Sequence, residues 1–364
     1  MKLPEPLDRI DGEARRPVEV AGAWIACPNT GRRLEPQVAT DDASLERALA
    51  AAHEAHRRGD WRELAAAERA AILEGVGARL EAQAATIAAL DAALTGIVVR
   101  TTTVLASLLA PVFRGAAQQL RTGVLRQGFA GRHGAVEVYR EPWGPAAVIA
   151  PWNAPAVIAA HKVASALAAG CPVVLKPSEW APHSCRVLAE VLADSGLPRG
   201  VFQLVHGGAA VGARLVADRR VAAVSFTGGL AGGRAVAAAC AEQLKPVQLE
   251  LGGNNPLVVL EDADVSAAAD GVVAGLATLN GQWCRAVGRV LVHESRRAAL
   301  VAAVEARLAG LALGDSREPA SVMGPLVHEG HRRQVAGAVE RYVQAGARAL
   351  AVSPLPALDG WFFP

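Results

Sequence analysis

The sequence predicts an α/β fold: a doubly wound parallel sheet followed by a second α/β domain. Three observations predict it. From "PAAVIA" to "PVQLEL" short apolar runs alternate with helix-length segments, in the order "PAAVIA", helix 156–169, "PVVLK", helix 181–195, "VFQLV", helix 210–218, "VAAVSF", helix 230–243, "PVQLEL". Strands this apolar, separated by helices and short turns, mark a parallel sheet covered on both faces. A second series starts near Asn254, with "PLVVL", helix 264–278, "RVLVH" and helices 295–309 and 330–345.

The segments ahead of the sheet follow other periods. Residues 41–93 are Ala-rich: "DDASLERALAAAHEAHRRG" opens on aspartates suited to an N-cap, and "AAAERAAILEGVGARLEAQAATIAALDAAL" keeps apolar residues three and four apart. They predict a helical N-terminal layer. Between residues 122 and 141, short alternating stretches around glycines, "TGVLRQGFAGRHGAVEVYR", predict a protruding or edge β-hairpin. The expected division is one domain of residues 1–121 and 142–253, the hairpin 122–141, and a second domain of residues 254–364.

A chain of 364 residues, 52% of them hydrophobic, can bury more than one core. Its 37 basic and 35 acidic residues leave a net charge of +2, with no basic block. That balance excludes the electrostatic footprint of nucleic-acid or anionic-membrane binding and points to a small-molecule partner. The five cysteines are scattered, without a CxxC pair or a Cys/His cluster, so no metal site is predicted and a reducing cytoplasm is the simplest compartment. The start, "MKLPEPLDRIDGEARR", is charged where a signal peptide needs an apolar core, and later apolar runs are broken by Gly and Pro short of a membrane span. Only four lysines occur, Lys2, Lys162, Lys176 and Lys245. Coding bias explains this, or the few lysines mark sites that need a compact ammonium.

Ligands of open parallel sheets bind beyond the carboxyl ends of the strands. Unusual residues gather there: Pro151, Trp152 and Asn153 after "PAAVIA", Lys176 to Glu179 after "PVVL", "HGGAAVG" after "VFQLV", and Phe226, Thr227, Gly228 and Gly229 after "VAAVS". Glycines that open a helix let backbone amides approach a phosphate, but they also serve as plain connectors, and the GxGxxG fingerprint is absent. Lys176 and Glu179 suit the hydroxyls of a ribose, or a salt-bridged loop. Asn153 fits a turn. Glu250, in the apolar strand "VQLELGG", is either paired with a cation or poised as a base. Cys284, in "LNGQWCRAVGRVLV", is either a buried filler or a nucleophile.

The set as a whole resembles the aldehyde dehydrogenase superfamily. The likeness runs from "VEVAGAWIACPNTGRRLEP" through "GDWRELAAAERAAIL", "EPWGPAAVIAPWNAP", "LKPSE", "VSFTGG", "LELGGNNP", "GQWCRAVGRV" and "MGPLV" to "GWFFP", with Glu250 and Cys284 34 residues apart. It implies a Rossmann-type coenzyme domain, an oligomerisation hairpin and a catalytic domain. Cys284 would be the nucleophile that forms a thiohemiacetal, Asn153 the oxyanion donor, and Glu250 the base that hydrolyses the thioester, a role suited to a partly buried carboxylate. Lys162 matches a lysine near the active site. Pro151, Trp152, Lys176, Glu179, Gly208, Gly212, Phe226, Thr227, Gly228, Gly229 and Leu251 would hold the cofactor, with Glu179 repelling a 2′-phosphate and so favouring NAD over NADP. The hairpin implies a homodimer or homotetramer.

The sequence departs from the family in places. His206 stands at the first glycine of the coenzyme turn and Gly229 at a usual serine, which predicts a looser but not abolished phosphate seat; Ala154 stands at an aromatic residue and His161 at a tryptophan, which predicts a wider, more polar substrate tunnel. "GWFFP" resembles a mid-domain segment, so the catalytic domain is expected to be incomplete and this apolar end to lack partners. Three readings follow: an NAD-dependent aldehyde dehydrogenase, a truncated non-catalytic NAD-binding relative or partner subunit, and a CoA-acylating dehydrogenase, against which Glu250 argues.

Overall fold

The apolar runs that follow Glu141 become neighbouring strands in the computed structural model, which describes residues 3–350 and 353–364. Lys2, counted above, lies outside the described residues. In chain order the elements begin with β1 (Asp8–Ile10), β2 (Glu13–Arg15), β3 (Val18–Ala26) and β4 (Arg33–Ala39). Four helices follow: α1 (Asp42–Arg58), α2 (Ala66–Thr95), α3 (Val99–Ser107) and α4 (Leu109–Arg121). Next come the antiparallel hairpin β5 (Arg126–Gly131) and β6 (Gly134–Tyr139), then β7 (Ala146–Ile149), α5 (Pro155–Ala168), β8 (Val173–Lys176) and α6 (His183–Ala193). The series continues with β9 (Phe202–Leu204), α7 (Ala209–Ala217), β10 (Ala223–Gly228), α8 (Leu230–Ala241) and β11 (Val247–Leu251). The last elements are β12 (Asn255–Val259), α9 (Val265–Ala277), β13 (Val287–Val292), α10 (Glu294–Ala309) and α11 (Glu329–Gln344).

The chain divides into two compact units. The first holds residues up to Ala23, Pro36–Leu90 and Thr103–Glu250; the second holds Trp24–Glu35, Asp91–Thr102 and the residues from Leu251 onward. In the first, seven strands lie in the order β11-β10-β7-β8-β9-β1-β2, with β10, β7, β8 and β9 mutually parallel. Successive residues of β7 and β8 feed opposite cores. Val148 and Leu175 join Leu80, Phe113, Val163 and Leu188, while Ala147 and Val174 join Leu45, Leu49, Leu215 and Val216. That is why these strands read as continuous apolar runs.

The helical layer is longer than residues 41–93, since α3 and α4 extend it to Arg121. Within residues 41–93 it breaks once, between α1 and α2. Asp41 caps α1 by accepting from the Ser44 N–H at 2.8 Å, and Gly59 ends it in the left-handed region, φ 82°. The sheet edge was not foreseen. The hairpin β1–β2 adds to it antiparallel, Arg9 opposite Leu204, and Arg9 pairs with Glu190 on α6.

In the second unit β12 and β13 pair in parallel, with Val259, Ala269 and Leu300 as a small core beneath α9 and α10. The expectation that "GWFFP" lacks partners is corrected. Trp361 donates its N–H to the Pro28 carbonyl at 2.9 Å and accepts from the Leu326 N–H at 3.0 Å, and Phe362 is buried. Among the described residues no helix is long and apolar enough to cross a membrane.

Candidate active site

β7 and β10 are neighbours although β8 and β9 intervene in sequence, so the connections leave β7 in opposite directions. Such a switch point opens a crevice beyond the strand ends. Here it measures about 470 Å³. Pro151 and Trp152 line it from the end of β7, Lys176 and Glu179 from β8, Gly208 and Gly212 from α7, and the run Phe226 to Gly229 from β10. Ten sequence-predicted residues thus share one cavity.

Its chemistry follows from what surrounds each group. Lys176 is buried, and its ammonium donates to the carbonyls of Pro177 at 2.9 Å and Gly207 at 2.6 Å. An ammonium has three protons, so one remains for the crevice. Burial pulls the Lys176 pKa down, while the negative charge of Glu179 opposes the shift. A Cβ on Gly208 would stand 3.4 Å from Glu179 Oε1, and one on Gly212 3.5 Å from Lys176 Cε, so glycine keeps the start of α7 close to both side chains. Gly229 has open space around it at the start of α8. The Thr227 hydroxyl is buried with no hydrogen-bond partner among the described residues. Two open helix N-termini, an unspent ammonium proton and an unsatisfied hydroxyl suit a ligand rich in phosphates and hydroxyls.

On the α5 side of the sheet a second groove, about 400 Å³, holds His161, Lys162, Ser225 and Gln248. Lys162 donates to Ser225 Oγ at 2.6 Å and to Gln248 Oε1 at 3.4 Å, and the Gln248 amide reaches Glu250 Oε1 at 3.4 Å. Burial pushes the Lys162 pKa down to about 8, with Glu250 acting the other way. Glu250, one residue before the end of the edge strand β11, is exposed, which corrects the expectation of a partly buried carboxylate. Asn153 is half-buried in the turn between β7 and α5, just ahead of Pro155 at the helix start. Ser225 and Gln248 were not singled out from the sequence, where each reads as an ordinary polar residue in a strand.

Cys284 and Leu251 belong to the second unit. Of the five cysteines Cys284 alone is exposed; the others are buried. The chain reaches it through a strained turn, with Leu279, Asn280 and Gly281 all at positive φ, 51°, 56° and 72°. Asn280 pays for that strain. Buried, it donates to the carbonyls of Gly96 at 2.7 Å and Pro325 at 3.0 Å and accepts from the Gly324 N–H at 2.9 Å. The Cys284 carbonyl accepts from the Asn255 amide at 3.1 Å, and Arg285 stacks over the Trp283 ring. Neither Asn280 nor Asn255 was singled out from the sequence.

The fold and crevice define a doubly wound α/β protein with a cavity at its switch point. Residues 22–363 match the aldehyde dehydrogenase family model, and the chain belongs to that family. It is 36% identical over 294 residues to a chloroplastic betaine aldehyde dehydrogenase from Amaranthus hypochondriacus, covering 79% of this chain and 59% of that protein. With the Beta vulgaris enzyme of the same name it shares 35% over 311 residues, 83% of this chain and 62% of the other. The chain therefore spans about three fifths of the length of the curated relatives it matches. Among solved structures, betaine aldehyde dehydrogenase from Staphylococcus aureus in complex with NAD+ superposes with a TM-score of 0.90 at 27% identity, covering 99% of this chain and 72% of that one. A cysteine-to-alanine variant of aldehyde dehydrogenase C from Pseudomonas syringae, with NAD+ and octanal, gives 0.92 at 28%, covering 100% and 75%.

Proposed function

We propose that the protein oxidises an aldehyde to a carboxylic acid with NAD. The observation that carries this reading is the exposed Cys284, set on a pinned and strained turn in a chain of the aldehyde dehydrogenase family. The crevice residues fit the cofactor: Lys176 and Glu179 hold the hydroxyls of the adenosine ribose, and the N-termini of α7 and α8 face the pyrophosphate. Glu179 disfavours a 2′-phosphate, so NAD is preferred over NADP. When bound, NAD supplies a hydride acceptor.

The chain's own residues do the rest. The Cys284 thiolate adds to the aldehyde carbon, and the Asn153 amide and the Cys284 N–H donate to the oxygen that becomes negative. Glu250 takes a proton from the water that cleaves the acyl group from sulfur. Lys162 acts near this chemistry. The exposed apolar side chains of β5 and β6, Phe129, Val136, Val138 and Tyr139, favour a homodimer or homotetramer, to be read by light scattering. Five free cysteines suit a reducing cytoplasm.

The test is the time course of NADH absorbance when the purified chain meets NAD and a panel of betaine aldehyde, an aminoaldehyde and octanal. Sustained NADH formation is expected. A folded chain that gives neither a burst nor turnover would overturn the reading in favour of a non-catalytic NAD-binding protein.

A further inference from the structure

Asp8 precedes the residues that match the family model and sits in β1, between β9 and the edge strand β2. Its side chain is buried, 1% exposed, and Oδ1 alone accepts three hydrogen bonds: from the Thr40 hydroxyl at 2.9 Å, the His206 main-chain N–H at 3.1 Å and His206 Nδ1 at 2.8 Å. The same His206 N–H reaches the Thr40 hydroxyl at 2.8 Å, and the Thr40 N–H donates to the His206 carbonyl at 3.0 Å. Both main-chain polar groups of residue 206 are thereby fastened. One residue further on, Gly207 has φ 138°, and a Cβ there would approach Val211 to 2.5 Å. Its carbonyl is the acceptor that holds the Lys176 ammonium at 2.6 Å.

We propose that Asp8 is a positioning residue for coenzyme binding: through Thr40 and His206 it fixes the Gly207 carbonyl, which aims the Lys176 ammonium at the ribose hydroxyls. The inference rests on the reading of the crevice as the NAD site. A packing role alone does not account for a carboxylate here. Burying one is costly unless its charge is used, and both Asp8 Oδ2 and His206 Nε2 lack a partner among the described residues. An apolar side chain would fill the space without that cost. What the charge accomplishes is to gather three donors onto one oxygen, and two of those donors belong to the residue beside Gly207.

The experiment measures calorimetric affinities of the 364-residue chain and its Asp8→Asn variant for NAD and for an NAD analogue that lacks the 2′ and 3′ hydroxyls of the adenosine ribose. The expected result is a loss of about ten-fold for NAD, the size of one charge-assisted hydrogen bond, with the analogue's affinity unchanged. A purely structural role would weaken both ligands alike, and that outcome, or no weakening of either, overturns the inference. Should Asp8→Asn fail to fold, Thr40→Val carries the test: it should reproduce the selective loss, and Thr40→Ser should restore binding. Failure of either of those two results also overturns it. A parent chain that does not bind NAD defeats the coenzyme reading and this inference together, whereas a parent that binds and a variant that matches it defeat this inference alone.

Discussion

The crevice of the first unit and the turn that carries Cys284 in the second are precise for opposite reasons. The crevice takes its shape from main chain at the ends of a packed sheet, and several of its residues matter because they lack a side chain, Gly208, Gly212 and Gly229 among them. The Cys284 turn has no sheet behind its strained residues; one buried amide, Asn280, holds three backbone groups in place. On the proposed function, binding is thus spread over many backbone positions, while the position of the nucleophile depends on a single side chain. The two should fail separately under mutation.

The largest expected effect tests that separation directly. Cys284→Ala should lower aldehyde oxidation by roughly a thousand-fold or more, while calorimetry finds NAD affinity unchanged. A parallel loss of NAD affinity would break the comparison. Asn280→Ala comes next. It leaves the Gly96 and Pro325 carbonyls and the Gly324 N–H without their partner, so denaturant melts should show a destabilisation of about 2–4 kcal/mol, with NAD affinity again retained in the folded protein.

The third prediction concerns Lys162, whose buried ammonium has a pKa lowered from 10.5 to about 8. Between those values the unfolded chain binds a proton that the folded chain does not, so stability should rise as pH climbs from about 8 toward 10.5. Below about 8 both states are protonated and the full burial penalty applies. The gain is on the order of 2 kcal/mol and should vanish in Lys162→Met, as chemical melts across this range would read. The smallest effect is one of selectivity. Glu179→Gln removes the charge that opposes a 2′-phosphate, and the ratio of NADP to NAD affinity should increase by about ten-fold. An unchanged ratio would remove Glu179 from the crevice's selectivity.

Much of the parallel sheet was legible because β7 to β10 are short apolar runs, each set off by a helix, and nothing else in soluble proteins produces that pattern so consistently. Ten crevice residues were legible as well, since the strand ends say where to look. The sheet edge was not. "DRI" is three residues, two of them charged, and shows no period from which a strand can be read. The Asp8–Thr40–His206 cluster joins positions 32, 166 and 198 residues apart, a proximity that only the folded chain creates. Asn280 failed for another reason: an Asn-Gly pair announces a turn, but whether its amide faces solvent or a ring of backbone groups depends on Gly96 and Pro325, which are far away in sequence.

The pairing of Arg9 with Leu204 has a consequence for how the chain reaches this state. The residues of β1 wait for almost two hundred more to be made before their strand partner exists, and closing so long a loop is slow. Until that loop closes, β9 presents unpaired amides and carbonyls along the border of the sheet, an opening for mispairing with another chain. The hairpin β1–β2 therefore acts as a late seal. Weakening it, for instance at the Arg9–Glu190 ion pair, should cost more in yield of refolded protein than in the stability of what has already folded.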